Sequence, residues 1–369
     1  MQEISGQTNI IATLILSLAL LIAPNIAKAA SDKEVAVTYE LKSWPQGIQR
    51  GVNVNIDRGN TKQREDFRHL AQEWGANHVR VQIFTAGVPL EFGEPGESSL
   101  QYFKEKVDPV LQWCAEFDLS VVLDCHGPPG NPKHWNDPGR LLWEDPKWHE
   151  NFARLWREIA EYYRDNKTIV AYELLNEPNM KEQVKDTPSD WNALAKRLTV
   201  AIREVDTYHT IMVGPIQWSS ASGFSSFEPT GGPNTIYTFH MYQPHQFTHQ
   251  GVHNEVTGID YPGMVANRMW NKETLKGAMK PAMDFQKEHN LPRLYVGEFS
   301  AIIWSPDKSA YNYLRDLLEI FEEQGWDWAY HAYREWSGWS LEHEGTDRRN
   351  IELAGSTDRL DLFKSYFEK

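Results

Sequence analysis

Residues 172–180 read YELLNEPNM, in which a segment suited to a buried strand runs directly into an amide, a carboxylate and a proline. Pro178 has no backbone N–H and cannot continue a strand ladder, so we expect the strand to end just before it. Glu177 is therefore predicted to stand where this strand leaves its sheet. A charged group there costs free energy to bury unless it has partners, so the neighbouring strand ends decide what this carboxylate faces.

Apolar segments of similar length recur along the chain and alternate with amphipathic helices. The strand candidates are 51–56, 78–83, 120–126, 169–175, 210–216, 235–242, 294–299 and 327–335. Near-continuous apolar runs of this kind are typical of parallel strands that are buried on both faces. Helical periodicity is clearest at 310–321, where one face carries Tyr311, Leu314, Leu317, Leu318 and Phe321.

Eight strands, most of them followed by a crossover helix, predict a single (β/α)8 barrel. A doubly wound open sheet is the alternative, but the sequence lacks the glycine-rich loop that such a sheet carries after its first strand. Ser189-Asp190 predicts the N-cap of a helix at 191–205, and Gly325 predicts the end of a helix that begins near Lys308. The segment 217–234 looks too short for a regular helix.

Composition and charge narrow the classes of partner. The chain has 369 residues, 41% of them hydrophobic, which suits a barrel built as one unit. Its net charge of −14 argues against nucleic acid and anionic membrane surfaces, since both attract basic patches. These properties suit a protein that acts on a neutral ligand.

The N-terminal region predicts export. An apolar run at 10–23 is followed by Ala27-Lys28-Ala29, the pattern of a signal peptide over 1–29, with the barrel domain at 30–369 and a secreted or periplasmic location. Glu3 precedes the run in place of Lys or Arg, so an uncleaved anchor is the alternative. Cys114 and Cys125 are expected to be two buried thiols, with a disulfide as the alternative in an exported protein.

Polar residues stand at the ends of most predicted strands, and in a barrel these ends form the active face. They are Arg80, His126, Asn176, Glu177, His240, Tyr242, Glu298 and a residue within 333–339. Glu177 ends the fourth strand and Glu298 the seventh, so the two carboxylates are predicted to face each other. A pair about 5–5.5 Å apart can cleave a glycosidic bond, one as nucleophile and one as acid and then base. Arg80 could hold one of them ionised.

The residues at these strand ends resemble glycoside hydrolase family 5, the cellulase family of retaining (β/α)8 glycosidases. The resemblance spans 51–336 and rests on Asn176-Glu177-Pro178, His240-x-Tyr242, Gly297-Glu298, Val79-Arg80-Val81 and Leu123-Asp124-Cys125-His126-Gly127. It implies that Glu177 is the acid/base and Glu298 the nucleophile. It also implies substrate-site roles for Arg80, His126, Asn176, His240 and Tyr242, with Asn176 binding the sugar 2-hydroxyl.

The eighth strand departs from the family pattern. The family usually offers a Trp there as a floor for the sugar ring, and we choose Trp336 over Tyr333 and Trp339. His331, Arg334 and Glu335 stand where many members have simpler aromatic runs, which leaves the sugar linkage open. Exposed rings that could stack on sugars are expected after the strands, at Trp135, Trp143, Trp218, Trp270, Trp304 and Trp336.

Two further groups of residues have simpler interpretations. Glu173 matches no motif and is predicted to form a structural ion pair. His245, His249 and His253 would align on a helix and suggest zinc, but Pro244 and Gly251 predict a loop, so no metal site is expected there.

The sequence therefore predicts a monomeric retaining β-glycosidase that needs no cofactor and acts on a β-linked oligo- or polysaccharide. An endo-β-1,4-glucanase is the leading interpretation. The alternatives are a β-mannanase, an exo-acting β-glucanase and a carbohydrate-binding protein without catalysis.

Overall fold

Eight parallel strands close into a barrel in the computed structural model, which describes residues 39–56, 61–84, 97–128, 140–180, 182–230 and 232–369. The strands are Arg50–Asn55, His78–Phe84, Ser120–Gly127, Ile169–Glu173, Thr210–Val213, Thr235–Met241, Leu294–Phe299 and Asp327–Tyr330. Each pairs with its neighbour in chain order, and the first pairs with the eighth. The predicted (β/α)8 barrel is confirmed. The predicted signal peptide and Trp135 lie outside the described residues.

Helices cover the outside of the barrel. The longer ones are Asp108–Glu116, Lys147–Tyr163, Trp191–Arg203, Lys272–Glu288, Ser309–Gln324 and Asp358–Phe367, and shorter helical segments lie at Arg64–Arg68, His69–Trp74, Glu97–Tyr102 and Phe103–Val107. Asp190 caps its helix as predicted, because its carboxylate accepts from the backbone N–H of Ala193 at 3.0 Å. Gly325 ends the 309–324 helix with φ 66°, a left-handed conformation that suits glycine.

The C-terminal ends of the strands form the upper rim of the barrel, where the connections after the fifth and eighth strands are irregular. After the fifth strand the chain forms only the short turns Ile216–Ser219 and Ala221–Ser226, as expected. The eighth strand ends at Tyr330, five residues earlier than predicted. The backbone N–H of Tyr333 donates to the carbonyl of Asn53 at 2.9 Å, and Arg334 has a φ of 44°, so the chain turns over the first strand.

The barrel interior has an apolar lower part and a polar upper part. The lower cluster includes Trp44, Val122, Ala171, Met212, Ile236, Tyr295 and Ala329. Trp44 closes it near the start of the eighth strand, where the indole N–H donates to Asp327 at 3.1 Å. Above this cluster the buried side chains are Asn53, Arg80, Gln82, Asp124, Glu173 and Glu298. Charged groups are therefore concentrated at the C-terminal strand ends.

Cys114 and Cys125 are both buried thiols, as expected. Burial raises the pKa of Cys114, which keeps this thiol protonated. Across the described ranges, we find no helix that combines the length and the apolar character needed to cross a bilayer.

Candidate active site

Glu177 and Glu298 meet at the upper rim of the barrel. One carboxylate oxygen of each lies within 4.8 Å of the other, and both lie within that distance of a ring nitrogen of His240. The side chain of Glu298 is 6% exposed, whereas that of Glu177 is 29% exposed. The two carboxylates predicted from the fourth and seventh strands therefore share one cleft, one of them buried and one open to solvent.

Glu177 reaches this position through an unusual backbone conformation. Its φ of 46° lies in the left-handed region, which costs a residue other than glycine about 1–3 kcal/mol. The preceding residue is held in place, since the backbone N–H of Asn176 donates to the carbonyl of Cys125 at 2.9 Å. The result is a carboxylate that turns back to the sixth strand and lies 2.9 Å from Nδ1 of His240.

Arg80 is the central cation of the site. Its guanidinium is buried and donates to both carboxylate oxygens of Glu173, at 2.6 and 3.0 Å. It also donates to Asn53 at 2.7 Å, to Asn176 at 2.9 Å and to Glu298 at 2.9 Å. Burying a charge is tolerated only when such partners surround it. Glu173 is thus the structural ion-pair member that the sequence predicted, and it fixes the orientation of Arg80.

Glu298 is held as a carboxylate. Arg80 donates to Oε1, and the hydroxyl of Tyr242 donates to Oε2 at 3.0 Å. Burial alone would raise the pKa of Glu298, but His240, His331 and Arg80 outweigh it and hold the pKa well below its usual range. Burial and the Glu298 charge raise the pKa of Tyr242, so the phenol stays protonated and can donate. These contacts therefore favour the ionised form of Glu298.

His126 is a neutral imidazole of defined orientation. Burial lowers its pKa to about 4, and its Nδ1 lies 2.8 Å from a carboxylate oxygen of Asp124. Nδ1 therefore carries the proton, which leaves Nε2 as an acceptor 3.5 Å from the side-chain amide nitrogen of Asn176. The same Asp124 oxygen lies 3.1 Å from Arg80, which ties His126 to the central cation.

His240 is positioned between the two carboxylates. Burial alone would lower its pKa, but the neighbouring Glu298 and Glu177 outweigh that effect and raise it. Gly297 makes room for the ring, because a Cβ at that position would lie 2.8 Å from Oγ1 of Thr238 and 3.1 Å from Nε2 of His240. The Gly297-Glu298 pair in the sequence thus has a steric cause.

Three residues of the site were not recognised from the sequence. Asn53 donates to the carbonyl of Gly297 at 2.8 Å and accepts from Arg80, and Asp124 orients His126. A polar residue within an otherwise apolar strand was the available signal for both. His331, just past the eighth strand, has Nδ1 3.5 Å from Oε2 of Glu298.

The three aromatic candidates for a sugar platform lie in different environments. Tyr333 is buried and its hydroxyl donates to Asp66 at 3.0 Å, so its face is not available. The ring of Trp339 lies 6.5 Å from that of Tyr242. Trp336 packs against Trp304 and Trp339, at centroid distances of 5.8 and 5.4 Å. A platform role for Trp336 stays a prediction.

Several other tryptophans do not offer the open faces expected of them. Trp143, Trp270 and Trp304 are buried, so the expectation that they stack on sugars is wrong. Trp218 is 58% exposed and lies in a left-handed stretch after the fifth strand. Among the members of the predicted set that the structure describes, Trp218 is the most exposed.

The histidines after the sixth strand depart from the expected loop. The segment begins with a helical turn at His245–Thr248, and the rings of His245 and His249 stack at 3.8 Å with an interplanar angle of 11°. His253 continues the stack 6.0 Å from His249. Parallel stacking does not aim ring nitrogens at one point, as a tetrahedral ion requires. Among described residues, the His, Cys and acidic side chains that do converge in a group of three are Glu177, His240 and Glu298.

Comparisons with known proteins agree with this geometry. A family model, Cellulase (glycosyl hydrolase family 5), matches residues 42–345. Endoglucanase C of Acetivibrio thermocellus is 28% identical over 286 residues, which cover 70% of this chain and 80% of that protein. Cel5A of Thermotoga maritima, solved with cellobiose, is 25% identical with a TM-score of 0.68, over 86% of this chain and 97% of that one. Its mannotriose complex gives 25% identity and a TM-score of 0.67 over the same shares. This chain belongs to the cellulase family, glycosyl hydrolase family 5, and is a glycoside hydrolase.

Proposed function

We propose that this protein is an endo-β-1,4-glucanase that works by double displacement, with Glu298 as nucleophile and Glu177 as acid/base. The observation that carries the proposal is the approach of their carboxylate oxygens to within 4.8 Å. Retaining enzymes need carboxyl groups about 5–5.5 Å apart, whereas inverting enzymes separate them by about 6.5–9.5 Å to admit a water molecule. The spacing supports a covalent intermediate.

The first step transfers the sugar to the enzyme. A carboxylate oxygen of Glu298 forms a bond to the anomeric carbon as the bond from that carbon to the glycosidic oxygen breaks. The carboxylic acid of Glu177 gives its proton to the departing oxygen. Arg80 and Tyr242 hold the attacking carboxylate in one orientation through their hydrogen bonds to its two oxygens, which supports attack without a rearrangement.

The second step releases the sugar. Glu177, now a carboxylate, takes a proton from water while the water oxygen bonds to the anomeric carbon. The bond to Glu298 breaks, its carboxylate is restored, and the product keeps the β configuration. The exposure of Glu177 supports this assignment, because an acid/base must exchange protons with solvent, whereas a nucleophile works best when buried and ionised.

The substrate assignment is supported by the relatives and by the chemistry of the cleft. Endoglucanase C is named for cleavage within a glucan, and this chain spans 80% of its length. Asn176 and His126 present an amide and an imidazole nitrogen near the carboxylates, which suits binding of sugar hydroxyls. The exposed ring of Trp218 and the half-buried ring of Trp336 are proposed to stack on neighbouring sugar units.

A β-mannanase is the second candidate, because one relative, Cel5A of Thermotoga maritima, has been solved both with cellobiose and with mannotriose. A panel of carboxymethylcellulose, mannan, laminarin and xyloglucan separates the possibilities by reducing-sugar release. We expect carboxymethylcellulose to be cleaved fastest, with an early fall in viscosity that shows internal cleavage. Preferential cleavage of mannan would favour the second candidate, and sugar release without a viscosity change would show exo action.

We also propose that the protein is exported and acts as a monomer. The apolar run at 10–23 and the Ala27-Lys28-Ala29 motif support export with removal of residues 1–29.

A further inference from the structure

His331 lies between two carboxylates at the end of the eighth strand. Its Nδ1 is 3.5 Å from Oε2 of Glu298, and its Nε2 is 3.8 Å from Oε2 of Glu335. Both side chains are largely buried, His331 at 13% exposure and Glu335 at 18%. Asn55 donates to the other oxygen of Glu335 at 3.2 Å, which anchors that carboxylate to the first strand. The imidazole thus bridges an anchored carboxylate and the proposed nucleophile.

Two atoms of this array are buried without a hydrogen-bond partner among the described residues, Nδ1 of His331 and Oε2 of Glu335. A buried polar atom left unpaired costs about 1–3 kcal/mol. The distance from Nδ1 to Glu298 is 3.5 Å and the distance from Oε2 of Glu335 to Nε2 is 3.8 Å. Both are longer than a normal hydrogen bond, by a few tenths of an ångström to about one ångström. Active-site hydrogen bonds are often long in the free enzyme and shorten when substrate binds. A small approach of the side chains would satisfy both atoms together.

The ring of His331 can donate to the proposed nucleophile. An imidazole nitrogen that carries a hydrogen is a donor, and Nδ1 of His331 faces Oε2 of Glu298. Oε2 of Glu335 faces Nε2 on the other side of the ring, so the position of the imidazole is set from both sides.

Other ionisable groups lie close enough to interact with the array. Arg80, His126 and His240 act on Glu298, and His126 and His249 are close enough to interact with His331. Burial lowers the pKa of both His126 and His249, which favours their neutral forms. Lys62 is close enough for its charge to interact with Glu335, and its ammonium donates to the carbonyl of Arg334 at 3.2 Å.

We propose that His331, held in place by Glu335, is a positioning residue for the nucleophile that donates to Oε2 of Glu298 and favours its carboxylate form at acid pH. This inference rests on the proposed role of Glu298. It gives a purpose to an ionisable pair at the strand end where the family resemblance offers an aromatic ring. Glu335 acts through His331 and is not proposed to touch the substrate.

The pH dependence of kcat/KM tests the proposal. A hydrogen-bond donor lowers the pKa of the carboxylate that accepts from it, so removal of the donor moves the acidic limb of the pH profile of kcat/KM to higher pH. In His331→Asn we expect the limb to rise by about one pH unit, which is a tenfold loss of kcat/KM below the limb. Glu335→Gln should move it in the same direction by less. Activity on the neutral plateau should fall less than the activity at acid pH.

A double variant shows whether Glu335 acts through His331. Glu335→Gln should shift the limb in the wild-type background and leave it unchanged in the His331→Asn background. His289→Asn, at the end of the 272–288 helix, is the matched control and should leave the profile unchanged. If His331→Asn does not fold by circular dichroism, His331→Gln takes its place.

The proposal would be overturned if folded His331→Asn or His331→Gln had its acidic limb at the same pH as the wild type. So would an equal Glu335→Gln shift in both backgrounds, because Glu335 would then act without the imidazole. Failure of the underlying function is distinguishable, since Glu298→Gln would then retain turnover whatever the His331 profiles show.

Discussion

Glu298→Gln should lower kcat by about 10⁵-fold, the scale of loss seen when a catalytic nucleophile is removed. The amide has nearly the shape of the carboxylate but carries no negative charge with which to attack the anomeric carbon. Arg80 keeps Glu173 and Asn53 as partners, so the central cation stays compensated and the fold should persist. The measurement is steady-state hydrolysis of an aryl β-cellobioside, with a circular dichroism melt to verify folding.

Glu322→Gln is the matched control for this loss. Glu322 is also a partly buried carboxylate paired with an arginine, at 2.7 Å from Arg50, but it lies on the outer 309–324 helix. It should keep wild-type turnover within about twofold, since substitutions away from a reaction site change little. Full activity in a folded Glu298→Gln protein would contradict the nucleophile assignment.

Glu177→Ala should lose general acid/base catalysis, a factor of about 10²–10⁴, and should regain turnover when azide is added. An activated aryl glycoside leaves without a proton, so the first step survives and the glycosyl-enzyme accumulates. Azide is an anion and needs no base, and the cavity left by the carboxylate gives it access to the anomeric carbon. We expect a rise of about 10²-fold in aryl-alcohol release, with no effect of azide on the wild type.

The configuration of the azide product separates the two carboxylates. Attack on a glycosyl-enzyme in the Glu177→Ala variant gives the β-glycosyl azide, whereas direct displacement in a Glu298→Ala variant gives the α-glycosyl azide. Proton NMR of the product distinguishes the two. An α product from Glu177→Ala would mean that the roles are exchanged.

The fold and the carboxylate pair were predictable because both depend on local pattern. Apolar strands alternate with amphipathic helices, and polar residues at strand ends meet at one rim whatever the details of packing. Arg80 was predictable as a support for an ionised carboxylate because a cation inside an apolar strand needs such a partner. Glu173 was predictable as a member of a structural ion pair, but only the structure identifies Arg80 as its partner.

The eighth strand shows where local pattern is insufficient. The aromatic run 331–336 has the composition of a strand, but the contact from Tyr333 to Asn53 turns the chain after Tyr330. At this strand end His331, and none of the candidates Tyr333, Trp336 and Trp339, comes next to Glu298. The histidines at 245–253 are similar, because Pro244 and Gly251 exclude a long helix but say nothing of the stacking between His245 and His249.

The exposure of individual tryptophan rings could not be predicted from the neighbouring sequence either. Trp143 and Trp218 both follow strands, yet Trp143 is buried and packs on the distant Trp191, whereas Trp218 is exposed and lies in a left-handed stretch of backbone. The distinction depends on tertiary contacts that no sequence window contains.

Trapping the intermediate tests the central claim most directly. A 2-deoxy-2-fluoro-β-cellobioside with a 2,4-dinitrophenolate leaving group should glycosylate the enzyme rapidly, because the leaving group needs no acid. The glycosyl-enzyme should then hydrolyse slowly, because fluorine disfavours the positive charge that develops in the transition state. We predict that intact-mass measurement shows one added glycosyl group, that peptide mapping places it on Glu298 within 294–299, and that Glu298→Gln gains none. A label on any other residue, or an inverted product from a wild-type enzyme that never labels, would contradict the account.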